Sequence, residues 1–307
     1  MSGPPRVMGF GRLRPLLGEI NDLKRIRRAG RAGSVAAHGF ARAWAALISG
    51  ADPARVAWAE AASGVASARL GAIDAAVLAD AGLSETESIE VLRAGVDSFA
   101  ECLDPSIRDR LGEAVGGLPA DPGGLEPLPG WVGRLADQPR AGATRPGHPR
   151  LILEPAESHA DHCYVTAVYA VLVASSFDAD PAIPFLAGLS HHLHNAELPD
   201  SGFAGEELLG RHLGPIMDRL TARAMGELPP ALAEVVARAR LILPHADTPE
   251  ARAFHAADVL DRVLQMDYHA RAAGFRIDQA LVDLDLVHPG PIQAFHLDVL
   301  GDAGLLP

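Results

Sequence analysis

Three histidines and an asparagine that can bind a metal ion lie within five positions of one apolar stretch: His191, His192, His194 and Asn195. The surrounding residues, 182–198, have the composition of a buried helix. Positions three or four apart share a helix face, so His191, His194 and Asn195 should project together, with His192 about 100° away around the axis. Neutral imidazole is the commonest metal ligand, and partnerless buried imidazoles would leave polar nitrogens unsatisfied. The spacing predicts a metal site; hydrogen-bonded core or surface histidines are the alternative.

Two further candidate ligands, His162 and Asp258, lie on other segments with helical patterns. His162 is near the start of a predicted helix at about 155–175. Asp258 lies in a long predicted helix that is capped at Asp247 and ends near 273. Helical bundles build metal sites from groups on separate helices. Since no convincing run of alternating strand residues is present, we predict an all-α fold with a C-terminal helical bundle and a smaller helical domain before it.

Composition limits the class of protein. The chain has 307 residues, 48% of them hydrophobic, and a net charge of −12, which argues against a nucleic-acid polymer as partner. Two cysteines support neither a disulfide framework nor a cysteine zinc site, so we expect a cytoplasmic protein. The longest apolar run, 163–174, is too short to span a bilayer, so no stable membrane insertion is expected. Lys24 is the only lysine among 27 basic residues, as in proteins from GC-rich bacterial genomes.

Charge and proline content predict four regions. Residues 1–32 form a basic N-terminal segment, with eight basic and two acidic side chains, and 33–116 form a helical accessory domain. Residues 117–150 are a Pro/Gly-rich linker expected to contain neither helix nor strand, and 151–307 form the metal-binding domain with 11 of the 13 histidines. The basic segment reads as an amphipathic helix that binds phosphate or an anionic membrane surface or, as we favour, packs on the acidic body. The accessory domain is a candidate for homodimerisation.

The order His162, His191-His192, Asp258 resembles the HD-domain superfamily of metal-dependent phosphohydrolases, whose pattern is His, His-Asp, then Asp. The nearest resemblance is to the branch of bacterial 5′-deoxynucleotidases and their eukaryotic relatives. It rests on the segments 157–164, 189–193 and 257–265 and covers roughly residues 150–275. The resemblance implies hydrolysis of a small phosphoester, such as a nucleotide, and a small phosphorylated molecule as binding partner.

The same resemblance implies that His162, His191 and Asp258 are metal ligands. His192 stands where the family has an aspartate, and Asn195 stands where the branch often has a glutamate that assists the attacking water. A third imidazole favours one divalent transition-metal ion (Fe, Mn, Co, Ni or Zn) over Mg²⁺. It also leaves a site charge of +1, which should hold anions more tightly.

Loss of the glutamate leaves the proton-transfer group open, because asparagine can orient water but cannot titrate. The replacement candidates are His194, Glu197 and Asp261. We expect His194 to carry protons, Asn195 to orient water, and Asp261 to support a metal ligand.

Two other functions stay open. One is a non-catalytic HD module that binds a metal or an anion. The other is an HD-type di-iron oxygenase, in which His212 and His245 would help to bind a second ion. Arg150, Arg252 and Arg262 flank the predicted site and either bind a substrate phosphate or form surface ion pairs.

Overall fold

The computed structural model describes residues 9–117, 128–148, 150–273, 277, 281 and 286–306. The predicted all-α class is confirmed. The longer helices are α1 (Phe10–Asn21), α2 (Val35–Ile48), α3 (Pro53–Leu70), α4 (Ala75–Asp80), α5 (Glu85–Asp97), α6 (Pro105–Ala114), α7 (Gly130–Asp137), α8 (His159–Val173), α9 (Ala182–Ser190), α10 (Gly202–Leu209), α11 (Leu213–Met225), α12 (Pro230–Arg240), α13 (Pro249–Ala273) and α14 (Gln293–Asp302). Short 3₁₀ turns occupy Asp22–Lys24, Ala174–Phe177, Leu193–Ala196 and Gly210–His212. An antiparallel hairpin pairs β1 (Arg27–Arg28) with β2 (Arg31–Ser34).

The central element is α8. All of its residues are buried, and it packs against α2, α3, α9 and α13. A helix that is apolar on every side needs neighbours on every side, so α8 forms the axis of the bundle. It begins at a capping box, in which the Ser158 and Asp161 side chains accept from each other's backbone N–H groups. This cap fixes where the polar residues of the first turn project.

Several helix starts follow from local sequence alone. Ser84 and Glu87 form the predicted capping box of α5, and Asp52 caps α3 just before Pro53. Ser34 caps α2 through a bond from the Ala37 N–H. Short polar side chains satisfy the free N–H groups of a first helical turn, which is why these boundaries are readable in the sequence.

The continuous helix predicted over 182–198 is wrong. The α-helix α9 ends at Ser190, His191 and His192 form a turn, and a 3₁₀ turn follows. Side chains occupy the carbonyls at this end: Arg240 donates to the Ser190 carbonyl, and the His191 ring bonds the Gly188 carbonyl. The helical ladder therefore stops where the sequence pattern would continue it.

The prediction of neither helix nor strand in 117–150 is also wrong. Pro129 stands just before α7, where proline does no harm, and the next proline, Pro139, follows its end. Trp131 of α7 is fully buried and meets Trp44 edge-on, with ring centroids 4.9 Å apart. Residues 118–127 and 149 of the predicted linker lie outside the described residues. In the described part, α7 is docked against the body of the protein.

The N-terminal segment packs on the body, the alternative favoured from the sequence. Leu16, Leu17 and Ile20 of α1 are fully buried in one hydrophobic cluster that also includes residues of α2, α3, α8 and α13. The regions predicted as 1–32, 33–116 and 151–307 thus share a core. None of the helices that the structure describes combines the length and apolar character that crossing a bilayer requires.

Candidate metal centre

Three imidazoles and a carboxylate from three parts of the fold converge on one point. His162 comes from α8, His191 and His192 from the turn after α9, and Asp258 from α13. One ring nitrogen from each histidine lies within 4.8 Å of the others. The His162 Nε2 atom is 3.0 Å from His191 Nε2 and 3.2 Å from Asp258 Oδ1. The structure thus brings His162, His191 and His192 together and places the Asp258 carboxylate against two of them, with Oδ1 3.9 Å from His191 Nε2.

Each imidazole has its other nitrogen occupied by an oxygen acceptor. His162 Nδ1 lies 2.6 Å from Asp261 Oδ2, and His191 Nδ1 lies 2.7 Å from the Gly188 carbonyl. His192 Nδ1 lies 2.8 Å from Asn195 Oδ1. Because these oxygens accept hydrogen bonds, the proton of a neutral His191 or His192 ring belongs on Nδ1, and Nε2 carries the lone pair. His162 has a carboxylate oxygen at both nitrogens, from Asp261 at Nδ1 and from Asp258 at Nε2.

The orientation of Asn195 is itself determined. Its Nδ2 group donates to the Leu198 carbonyl at 3.1 Å, so its oxygen must face His192. An Arg140 Nη1 group lies 3.4 Å from His192 Nε2, facing its lone pair, so this guanidinium would have to move aside for His192 to bind a metal ion.

This arrangement fits a cation. Two Nε2 lone pairs facing each other at 3.0 Å repel unless a proton or a metal ion lies between them. Burial holds the pKa values of His191 and His192 well below the usual range, which disfavours a proton on either ring. Burial would raise the Asp258 pKa, but Arg262, His162 and His191 together outweigh burial and hold that pKa well below its usual range. Three imidazoles and a carboxylate are a donor set typical of transition-metal sites.

Asp261 lies behind His162, away from the cleft. Its carboxylate is fully buried and is bonded by Lys24 Nζ at 2.7 Å and Asn21 Nδ2 at 3.0 Å in addition to His162. Lys24 Nζ also lies 2.7 Å from Glu157 Oε2. Glu157, His162 and Asp261 form a second group with metal-like spacing, but Lys24 already pairs with both carboxylates, and Arg140 Nε lies 3.4 Å from Glu157 Oε1.

A cleft of about 620 Å³ opens over the centre. That volume lies in the range of small-molecule sites. His191, His192 and Asp258 line it, and so do Arg140 and Arg262. An Arg262 terminal nitrogen lies 3.4 Å from Asp258 Oδ2, so one guanidinium group lies beside Asp258 and the other, that of Arg140, beside His192.

The residues predicted to transfer protons or orient water lie in different surroundings. His194 lines the cleft, its ring centroid lies 5.7 Å from that of His192, and its buried Nδ1 atom has no hydrogen-bond partner among the described residues. Burial lowers the His194 pKa to about 4, so the ring is neutral and a weak base at pH 7. Asn195 lines the cleft, with its oxygen on His192, whereas Glu197 pairs with Arg223.

The other predicted residues lie away from the ligand cluster. His212 is exposed and His245 is half-buried, and neither is among the described residues that line the cleft. Arg150 donates to the Ser201 carbonyl and Arg252 to the Ala246 carbonyl. Of the three arginines singled out in the sequence, Arg262 alone lines the cleft among the described residues.

Sequence reasoning missed three polar residues of the site. Arg140 follows α7 in the proline-rich region, where no pattern marks it as a site residue. Asp200 lines the cleft and accepts from the Ala141 and Gly202 N–H groups. Lys24 could have been singled out from the sequence, because it is the only lysine of the chain and follows an apolar residue of the amphipathic pattern.

No protein-family model, curated protein or solved structure matches this chain. The resemblance to the HD-domain superfamily stays a prediction based on the three sequence segments.

Proposed function

We propose that this protein is a divergent HD-superfamily phosphohydrolase that binds one divalent transition-metal ion and hydrolyses a small phosphoester, such as a nucleotide. One observation carries the proposal. Three imidazoles with their Nδ1 atoms bonded to oxygen, and the Asp258 carboxylate, surround one point beside a cleft. The same proposal assigns the protein to the cytoplasm and allows a homodimer.

The charge of the site favours an anionic substrate. A divalent ion and one carboxylate leave a net charge of +1, and Arg140 and Arg262 add two guanidinium groups at the wall of the cleft. Guanidinium groups bind phosphate oxygens through paired N–H donors. Three imidazoles and one carboxylate favour Fe, Mn, Co, Ni or Zn over Mg²⁺.

The residues of the chain have separate parts in the proposed hydrolysis. A bound ion supplies a water of lowered pKa and polarises a phosphoryl oxygen. Arg140 and Arg262 orient the phosphoryl group and balance its charge. His194 is the proposed proton carrier, and its lowered pKa of about 4 makes it a weak base at pH 7. Asn195 holds His192 rather than orienting water, so its part is to aim a ligand.

Metal analysis and a substrate screen test the proposal. Protein purified without chelators should contain about one transition-metal ion per chain. With added metal it should release phosphate from p-nitrophenyl phosphate or from a nucleotide panel. His191→Ala should abolish both metal retention and turnover, whereas His212→Ala, which changes an exposed histidine, should alter neither. Equal background activity in the wild type and His191→Ala would contradict hydrolysis at this site.

A non-catalytic binding module is the second candidate function. Asn195 stands at the position where a glutamate was expected, and the nearby Glu197 carboxylate pairs with Arg223. A thermal shift with metal and inorganic phosphate, without product release from any substrate, would support this module. Two irons per chain with O₂-dependent turnover would instead support the di-iron oxygenase.

A further inference from the structure

We infer that Lys24, from the N-terminal segment, is a positioning residue of the metal centre and acts on His162 through Asp261. This inference rests on the proposed metal site and adds a residue that lies outside the region resembling the HD domain. It gives the basic N-terminal segment a part in the chemistry.

The path from Lys24 to the metal ligand contains two short contacts. Lys24 Nζ lies 2.7 Å from the Asp261 carboxylate, and Asp261 Oδ2 lies 2.6 Å from His162 Nδ1. Asn21 Nδ2, one turn before Lys24, donates to Asp261 Oδ1 at 3.0 Å. The Asp261 carboxylate is therefore held at both oxygens by the N-terminal segment and turned toward His162.

Burial makes these contacts strong and hard to replace. The side chains of Lys24 and Asp261 are both fully buried, so water cannot substitute for either partner. Removing one member of a buried ion pair leaves an uncompensated charge, which costs far more than losing an exposed pair. Lys24 contacts a second carboxylate, Glu157, which is also largely buried. Its ammonium therefore lies between two carboxylates and holds them in place.

The effect on the metal follows from the hydrogen bond to His162. A carboxylate that accepts from the outer nitrogen of a ligating imidazole fixes the tautomer, orients the ring and strengthens the inner nitrogen as a ligand. Without the Lys24 ammonium, the Asp261 carboxylate loses its counter-charge and its fixed orientation. His162 then loses the acceptor that aims its Nε2 atom at the shared point.

The test uses Co²⁺ as the probe metal in the full-length chain. Wild type, Lys24→Met, Asp261→Asn and the double variant are titrated, and the dissociation constant and the visible absorption spectrum of bound Co²⁺ are recorded. Arg69→Met is the matched control, because it removes a half-exposed pair with Glu19. We expect Lys24→Met to weaken Co²⁺ binding about 10–100-fold and to change the spectrum, whereas Arg69→Met does neither.

The double variant separates positioning from a structural role. If Lys24 acts through Asp261, the double variant should bind Co²⁺ no more weakly than Asp261→Asn alone. Fully additive losses, or an unchanged constant and spectrum in a folded Lys24→Met protein, would overturn the inference. If Lys24→Met does not fold, the double variant is compared with Asp261→Asn instead. In the double variant, neither member of the Lys24–Asp261 pair carries a charge. Absence of Co²⁺ binding by the wild type would instead count against the metal site itself.

Discussion

Asn195 offers the cleanest perturbation of the metal centre, because it orients one ligand without being one itself. Its oxygen accepts from His192 Nδ1 at 2.8 Å, and its amide nitrogen donates to the Leu198 carbonyl at 3.1 Å. Asn195→Ala removes both bonds from a side chain that is 5% exposed. The His192 ring then loses the acceptor of its Nδ1 atom and can rotate or change tautomer.

The size of the effect follows from these contacts. Loss of the hydrogen-bond partner of a ligating imidazole weakens metal binding about 10–100-fold, or about 1.4–2.7 kcal/mol. The unsatisfied Leu198 carbonyl should lower the free energy of unfolding by about 1–3 kcal/mol. The metal dissociation constant is measured by competition with a chromophoric chelator, and the free energy of unfolding is measured by urea unfolding of the metal-free protein.

A second variant separates the two bonds of Asn195. Asn195→Asp keeps an oxygen acceptor for His192 and loses only the donor to Leu198, so metal affinity should stay near that of the wild type while stability falls. A dissociation constant for Asn195→Ala within twofold of the wild type would refute the assignment of His192 as an oriented ligand.

Three further outcomes are expected. Burial alone would raise the pKa of Glu157, but Lys24, Arg140 and His162 together outweigh burial, and the pKa falls to about 2. Glu157 thus stabilises the fold above its ordinary pKa of 4.5, and this contribution is lost as pH falls from 4.5 toward 2. In Glu157→Gln, the free energy of unfolding in urea should therefore depend less on pH in that window. A pH dependence equal to that of the wild type would contradict the ion pair. Gly188→Ala would bring a Cβ atom within 2.8 Å of the backbone of α8, so it should lower the free energy of unfolding by about 1–3 kcal/mol. Gly133 has open space around it, so Gly133→Ala should be neutral or slightly stabilising in the same assay. Trp131→Ala should lower the free energy of unfolding by about 3–5 kcal/mol; a loss below 1 kcal/mol would show that α7 is not docked.

The parts of the fold that were predictable depend on local chemistry. Helix starts such as the Ser84–Glu87 capping box are determined by side chains three residues apart. The candidate ligands could be selected because His162, His191 and Asp258 occur in the order of the HD-domain pattern, and the structure places the three side chains close together. The high proline content led to the wrong prediction that no helix forms at α7, because the prolines flank that helix rather than interrupt it.

Long-range contacts determine the rest. α9 ends where it does because Arg240, 50 positions away, takes the Ser190 carbonyl. Lys24 meets Asp261 across 237 positions, and no local pattern records such a pairing. Periodicity placed His191, His194 and Asn195 on one helix face, but the turn after Ser190 instead brings His191 together with His192.

The three imidazoles differ in the sequence distance to the oxygen that accepts from their Nδ1 atom. His191 and His192 are each aimed by an atom three positions away, while His162 is aimed by an atom 99 positions away. At the proposed metal site, local contacts therefore orient His191 and His192, whereas His162 gains its acceptor only once α13 has docked. Ion capture would then mark the end of folding rather than nucleate it, unlike in small zinc modules that stay unfolded without metal.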